Sequence, residues 1–124
     1  NASKHAVVTV MEGLHHDLAL RGSRLGVSVL CPGWVRTRIA LSERNRTAGE
    51  ATRLEALDPV AAGVVSAIHQ AVARGIEPAD AARALFDAVR DGRFYVLTHP
   101  DAKAGVRTRL EDILQDRVPT LVRL

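Results

Sequence analysis

Two short apolar segments, 26–31 and 94–98, are the strand signals of this 124-residue chain, and helical patterns occupy most of the rest. The first, Gly-Val-Ser-Val-Leu-Cys, is nearly continuous in apolar and β-branched residues, which is typical of a parallel strand covered on both faces. Two strands flanked by several helices leave apolar faces uncovered, because an independent sheet needs more strands. The pattern therefore predicts an α/β fold of which the first half is missing from the sequence.

A long amphipathic helix is predicted before the first strand. Residues 2–20 contain no Pro and one Gly. Apolar residues recur there at the spacing of a helical face, at Val7, Met11, Leu14 and Leu18. We expect two faces of this helix to be buried and Gly22 to end it in a left-handed conformation. A helix, a turn and a buried strand form the second half of an α/β crossover.

The remaining boundaries follow from Pro, Gly and Asp. The length suits one small domain spanning residues 1–124. Asp58-Pro59 and Glu77-Pro78 each begin a helix. The second of these helices ends at Gly92, and its residues expected to face inward are Ala81, Leu85 and Val89. A last helix begins near Asp101. The predicted parts are a helix at 1–22, a strand and loop at 26–37, a weakly patterned segment at 38–57, and helices with the last strand at 58–124.

Composition argues against several function classes. Basic and acidic residues alternate along the chain, so the net charge of +3 indicates an ion-paired surface rather than a nucleic-acid site. No apolar run approaches the roughly 20 residues that a membrane span requires. Cys31 is the single cysteine, which favours a reducing, cytoplasmic location. No metal site is predicted, because His15 and His16 diverge by about 100° on a helix.

Three segments, in order, resemble the short-chain dehydrogenases/reductases. Ala2-Ser3-Lys4 followed by Ala6 resembles the end of that family's Tyr-x-x-x-Lys active-site helix, with the Tyr position just before Asn1. Cys31–Thr37 is similar to the Pro-Gly-x-Val-x-Thr segment after the sixth strand, and residues 92–100 resemble the last strand. The resemblance implies the C-terminal part of a Rossmann-like doubly wound parallel sheet, truncated just after the catalytic Tyr.

The resemblance gives Lys4 a catalytic role. Its ammonium group would lower the pKa of the family's catalytic Tyr and bind the ribose hydroxyls of NAD or NADP. The alternative is an ordinary exposed lysine near a helix start. The chain has two Lys and fifteen Arg, so a lysine retained at this position favours the catalytic interpretation.

The segment after the first strand is the expected coenzyme loop. The resemblance assigns coenzyme binding to Pro32, Gly33, Val35 and Thr37, with Gly33 allowing close approach of the backbone. By the same resemblance, the Val35 backbone meets the nicotinamide carboxamide and the Thr37 hydroxyl reaches the carboxamide or the pyrophosphate. A plain Pro-Gly turn followed by a surface loop is the alternative.

Substrate residues are less well marked. Trp34 and Leu41 are candidates to line the pocket of a small carbonyl or alcohol substrate, although Trp34 could equally pack in a hydrophobic environment. The segment 38–57 is interpreted as the substrate lid, since weak patterning is typical of a loop that orders on binding.

The chain lacks a Gly-x-x-x-Gly-x-Gly phosphate loop, so we expect it to be inactive by itself. The first helix could pair with its copy in a homodimer or homotetramer. A non-catalytic helical interaction or oligomerisation module is the alternative function, in which Lys4 and Thr37 are incidental.

Overall fold

A computed structural model describes residues 2–39 and 58–121. Its helices and strands, in chain order, are α1 (Ala2–Leu20), β1 (Val29–Cys31), α2 (Pro59–Ala73), α3 (Pro78–Arg90), β2 (Tyr95–Leu97) and α4 (Ala102–Leu114). This order confirms the predicted α/β class, and both strands lie within the predicted segments but are shorter. Most of the predicted lid, including Leu41, lies outside the described residues.

The two strands pair in parallel. Val29 is opposite Tyr95, and the register continues through Leu30 with Val96 and Cys31 with Leu97. Val29 and Val96 are buried, as expected for β-branched residues of a parallel sheet. Parallel strands need a long connection, and the chain between β1 and β2 contains α2 and α3.

Glycines end two helices in the left-handed conformation, as predicted. Gly22 follows α1 with a φ of 62°, and the amide of Ser23 donates to the carbonyl of Leu18 at 2.9 Å. Gly92 follows α3 in the same way, with a φ of 67°. A residue with a Cβ is disfavoured at such positions, so these helix ends are set locally by the sequence.

The chain falls into two compact units, which are described separately. One comprises residues 1–33 and 82–124, with α1, the sheet, most of α3 and α4. The other comprises residues 34–81 and includes α2 and the first turn of α3. No helix in the described parts is long and apolar enough to cross a membrane.

Burial departs from the predicted pattern at two helices. In α1 no described residue is buried, whereas burial of two faces was predicted; Val10 is 66% exposed. The two described strands cannot cover so wide an apolar surface. In α3 the prediction for Val89 is wrong, because it is 60% exposed while its small neighbour Ala88 is fully buried. Ala88 lies seven positions after the buried Ala81 and so shares its helical face, whereas Val89 is turned about 80° from that face.

The segment after α4 folds back onto a buried carboxylate, that of Asp112. The backbone amide of Thr120 donates to Asp112 Oδ2 at 2.8 Å and its hydroxyl donates to Oδ1 at 3.1 Å. Arg117 completes the cluster with an ion pair at 3.1 Å. The Thr120 amide, followed by its hydroxyl and Arg117, lowers the pKa of Asp112 against the opposing effect of burial.

Asp112→Asn is expected to release this segment. A depressed pKa means that the carboxylate stabilises the fold above its ordinary pKa of 3.8, and the contribution is lost as the pH falls through the lowered value. Hydrogen exchange at the Thr120 amide should therefore accelerate in the variant at neutral pH. Glu111→Gln, an equivalent change at the exposed neighbouring residue, is the control. Equal protection of the Thr120 amide in Asp112→Asn and the unmodified protein would contradict the assignment.

Candidate active site

The carboxyl ends of β1 and β2 lie at the same edge of the sheet, because the strands are parallel. Pro32 and Gly33 follow β1 there, and Thr98 and His99 follow β2. The amide of Gly33 donates to Thr98 Oγ1 at 3.3 Å, and Thr98 Oγ1 lies 2.8 Å from His99 Nδ1. Open α/β sheets bind ligands outside the carboxyl ends of their strands. This edge is therefore the candidate site in the first unit.

Gly33 lies so close to the His99 ring that a side chain at position 33 would have to displace that ring. A Cβ at position 33 would lie 2.6 Å from Nδ1 of His99, well inside contact distance. Gly33 is nevertheless exposed. A backbone that is open to solvent and carries no side chain admits a planar ligand at short distance, so the predicted role of Gly33 is compatible with its surroundings.

In the second unit, the loop between α2 and α3 holds the segment from Trp34 to Thr37. Val35 and Ile76 form a parallel bridge. The amide of Arg36 donates to the Ile76 carbonyl at 2.9 Å, and the Ile76 amide donates to the Trp34 carbonyl at 3.0 Å. Arg36 also forms an ion pair with Glu77. The predicted coenzyme loop is thus paired like a strand in its middle, not simply an exposed turn.

Gly75 makes this pairing possible. A Cβ at position 75 would lie 2.5 Å from the Trp34 carbonyl oxygen and 2.8 Å from the Val35 nitrogen. These are backbone atoms, which cannot rotate away as a side chain can. The glycine that the sequence places near the end of α2 therefore serves the close approach of two chain segments.

Thr37 follows the bridge and is exposed. Its Oγ1 accepts a hydrogen bond from the Ile39 amide at 3.4 Å. Because a hydroxyl both accepts and donates, this bond leaves the proton of Thr37 able to bind a carbonyl or phosphate oxygen. Val35 and Trp34 are half-buried. These positions are compatible with the predicted roles, which stay predictions.

Lys4 lies exposed in the first turn of α1. Side chains further along the helix fasten α1 to β2: the hydroxyl of Tyr95 donates to Glu12 Oε1 at 2.5 Å. The His15 ring meets the ring of Phe94 edge-on at 5.3 Å between centroids. Glu12 is about 12 Å from Lys4 along the helix axis. The helix that carries Lys4 is thus tied to the sheet two turns away from it.

The Tyr95 contact yields a testable pKa. The hydrogen bond to Glu12, together with desolvation and the charge of that carboxylate, raises the pKa of Tyr95 above its ordinary value of 10.0. The folded state keeps the phenol protonated to higher pH, so its contribution to stability is present below the ordinary pKa and is lost as the pH rises through the raised value. Glu12→Gln should lower the pKa of Tyr95 towards 10.0.

Titration of tyrosine-labelled protein by NMR measures this pKa, with Tyr95→Phe to assign the resonance. Glu111→Gln removes an exposed carboxylate elsewhere and is the control. An unchanged Tyr95 titration in Glu12→Gln would show that the hydrogen bond does not set the pKa.

Cys31 is half-buried at the end of β1, and burial raises the pKa of its thiol. A raised pKa disfavours the thiolate, as expected for a packed cysteine rather than a nucleophile. Across residues 2–39 and 58–121, no three His, Cys, Asp or Glu side chains form a group that could hold a metal ion.

Sequence reasoning missed Thr98, His99 and Gly75. The first two could have been found, since a parallel pairing of the two predicted strands brings the residues after them to the same edge. Gly75 had no such signal, because its need for a missing side chain depends on how closely two distant segments approach.

The sequence matches no protein-family model. It is 31% identical to the "CLA biosynthesis dehydrogenase/reductase" of Lactiplantibacillus plantarum over 96% of this chain and 42% of that protein. It is 29% identical to the "C alpha-dehydrogenase" of Sphingobium sp. (strain NBRC 103272 / SYK-6) over 96% of this chain and 37% of that one. The chain thus spans about two fifths of the length of these curated relatives.

A solved structure gives the same result. The crystal structure of a short-chain dehydrogenase/reductase from Burkholderia phymatum, in complex with NAD, superposes with a TM-score of 0.81 and is 43% identical. The match covers 99% of this chain and 44% of that one. The described α/β arrangement is therefore part of a Rossmann-like fold, as predicted.

Proposed function

We propose that the chain belongs to an NAD(P)-dependent oxidoreductase. The reason is that nearly its whole length is homologous to part of the short-chain dehydrogenases/reductases. The reaction would move a hydride between the nicotinamide and the carbonyl or alcohol carbon of a small molecule. The observation that supports this function best is the Pro32-Gly33 segment at the carboxyl ends of two parallel strands, in a chain 43% identical to a relative solved with NAD. The complete protein would be the longer gene product that contains this segment.

The residues that would hold NAD or NADP are Lys4, Pro32, Gly33, Val35 and Thr37. The bound coenzyme supplies or accepts the hydride. The exposed backbone of Gly33 and the hydroxyl of Thr37 fit a group that carries an amide and phosphate oxygens. Lys4 carries three ammonium donors, which suit ribose hydroxyls.

Lys4 would also assist proton transfer. A tyrosine phenol has an ordinary pKa of about 10, which is too high for a base at neutral pH. An adjacent ammonium group favours the phenolate and lowers that pKa. Lys4 would act in this way on the family's catalytic Tyr, which the resemblance puts one helical turn before it.

The substrate class is a small carbonyl or alcohol compound. Trp34 is half-buried and lies within the proposed coenzyme loop, between Gly33 and Val35, which supports a place for it near the substrate. Leu41 and the lid at 38–57 remain proposals, since nearly all of that segment lies outside the described residues.

An assay of the complete protein tests this function. NADH and NADPH are supplied separately with a panel of aldehydes, cyclic ketones, steroid ketones and β-keto esters, and the loss of reduced coenzyme is followed by absorbance. We expect turnover of at least one panel member and none by the 124-residue chain alone. Turnover by the chain alone, or by the complete protein without either coenzyme, would contradict the proposal.

The exposed face of α1 supports self-association. Val7, Val10 and Leu14 share one helical face and are 54%, 66% and 43% exposed. We place a homodimer or homotetramer contact there, and Val10→Glu should shift the complete protein to a smaller species in analytical ultracentrifugation. Thr9→Glu, at the adjacent exposed position, should leave the size of the species unchanged.

The unpaired Cys31 supports a cytoplasmic location, where thiols stay reduced.

A further inference from the structure

We propose that Thr98 and His99 are positioning residues that hold the Gly33 peptide for coenzyme binding. The inference rests on the proposed function and adds two residues to it. Neither was among the residues predicted to bind the coenzyme. Both follow β2, the strand paired with the one that leads into Gly33.

Two hydrogen bonds that share the Thr98 hydroxyl join the three residues. The Gly33 amide donates to Thr98 Oγ1 at 3.3 Å. The same hydroxyl lies 2.8 Å from His99 Nδ1, within hydrogen-bond distance. Thr98 Oγ1 therefore contacts both the Gly33 amide and the His99 ring, so one hydroxyl holds the Gly33 peptide and the imidazole in place.

Packing reinforces the hydrogen bonds. Three ring atoms of His99 lie within 2.9 Å of where a Cβ at position 33 would be, so the ring occupies that side of Gly33. The carbonyl of His99 also accepts from the amide of Ala102 at 3.2 Å, at the start of α4. His99 is thus held by Thr98 on one side and by the first turn of α4 on the other, and it limits the movement of Gly33.

The opposite edge of the sheet offers a matched comparison. The hydroxyl of Ser28 donates to the Arg93 carbonyl at 2.8 Å, joining the residues that precede the two strands. Like the bond between Gly33 and Thr98, it joins a side-chain hydroxyl of one segment to the backbone of the other. It differs in lying at the amino edge, away from the strand ends where ligands bind in open α/β sheets. Loss of the Ser28 bond therefore reports the general stability of the sheet, without the proposed effect on coenzyme.

Calorimetric titration of the complete protein with NADH and NADPH tests the assignment. Thr98→Val, which keeps the shape and removes the hydroxyl, should raise the dissociation constant of the bound coenzyme about tenfold, the size of one hydrogen bond. Thr98→Ser, which keeps the hydroxyl, should bind the coenzyme with a dissociation constant within about twofold of that of the unmodified protein. Ser28→Ala should lower the melting temperature without changing the dissociation constant. A Thr98→Val variant that binds coenzyme as the unmodified protein does would overturn the proposal, as would equal weakening by Ser28→Ala.

A double substitution tests the packing between Gly33 and the His99 ring. Gly33→Ala should lower the melting temperature, because its Cβ meets the His99 ring. Combining it with His99→Ala should recover stability but not coenzyme affinity, since the positioning ring is then gone. Recovery of both would assign His99 a purely steric role and overturn the proposal for that residue.

Coenzyme binding by the unmodified protein distinguishes failure of this inference from failure of the proposed function. If the unmodified protein binds neither NADH nor NADPH, the proposed oxidoreductase function fails and this inference fails with it. If the unmodified protein binds coenzyme and Thr98→Val leaves the affinity unchanged, only this inference fails.

Discussion

Replacing Lys4 by alanine is expected to reduce kcat/KM of the complete protein by about 10²–10⁴-fold, the range contributed by a positioned acid or base. The ammonium group would no longer lower the pKa of the catalytic phenol, so the limb of the pH–rate profile that reports it should move to higher pH. The best substrate of the carbonyl panel is the probe, with kcat/KM measured across pH. The dissociation constant of the coenzyme should also rise, because Lys4 donates to it in the proposed function.

Lys103→Ala is the matched control, since Lys103 is the other lysine of the chain and lies in α4. It should leave kcat/KM and the pH profile unchanged. Lys4→Arg should not restore activity, because a planar guanidinium does not substitute for the compact ammonium group. Near-normal activity of Lys4→Ala would show that Lys4 is an ordinary surface lysine and would support the non-catalytic alternative.

Gly75→Ala is expected to lower the free energy of unfolding by about 1–3 kcal/mol, the usual cost of inserting a methyl group into a closed contact. The new Cβ would lie 2.5 Å from the Trp34 carbonyl oxygen, so the two segments must separate. Separation breaks the hydrogen bonds between Trp34, Ile76 and Arg36 that pair the loop with the α2–α3 connection. Denaturant unfolding of the complete protein measures the loss, and coenzyme affinity should fall with it.

Gly63→Ala provides the opposite expectation within the same unit. Gly63 lies inside α2, and a Cβ there meets nothing within 4 Å. Alanine is a better helix former than glycine by roughly 0.5–1 kcal/mol, so this variant should be more stable. Equal effects of the two substitutions would mean that the close approach at Gly75 does not exist.

Local signals predicted the helices well. The ends of α1 and α3 depend on Gly22 and Gly92, whose left-handed conformation is a property of the residue itself. Asp58 caps α2 as predicted, with its carboxylate accepting from the amides of Val60 and Ala61. Such features involve neighbours within a few positions, so they can be read without knowledge of the tertiary structure.

Features that depend on distant segments were predicted less well. The strands are shorter than their apolar segments, because a strand extends only as far as its partner offers hydrogen bonds. Val89 was predicted to face inward but is exposed, because Ala88 and not Val89 lies on the helical face of the buried Ala81. The bridge between Val35 and Ile76 joins residues forty-one positions apart and left no trace in the local pattern.

The candidate site lies between these cases. Pro32 and Gly33 could be placed at the end of a buried strand from their own segment, whereas the neighbours that hold Gly33 come from the end of β2. The roles of Lys4, Val35 and Thr37 came from the family resemblance, and substitution experiments must test each of them. The structure explains the glycines at 33 and 75, because a Cβ would meet the His99 ring at the first position and the Trp34 backbone at the second.

Calorimetric titration of the complete protein with NADH and with NADPH measures whether it binds a nicotinamide coenzyme through the predicted residues. We expect saturable binding of at least one of them at a single site per chain, weakened by Lys4→Ala and by Thr37→Val and unchanged by Lys103→Ala. Absence of saturable binding for both coenzymes, or binding that none of these substitutions alters, would contradict the proposed function.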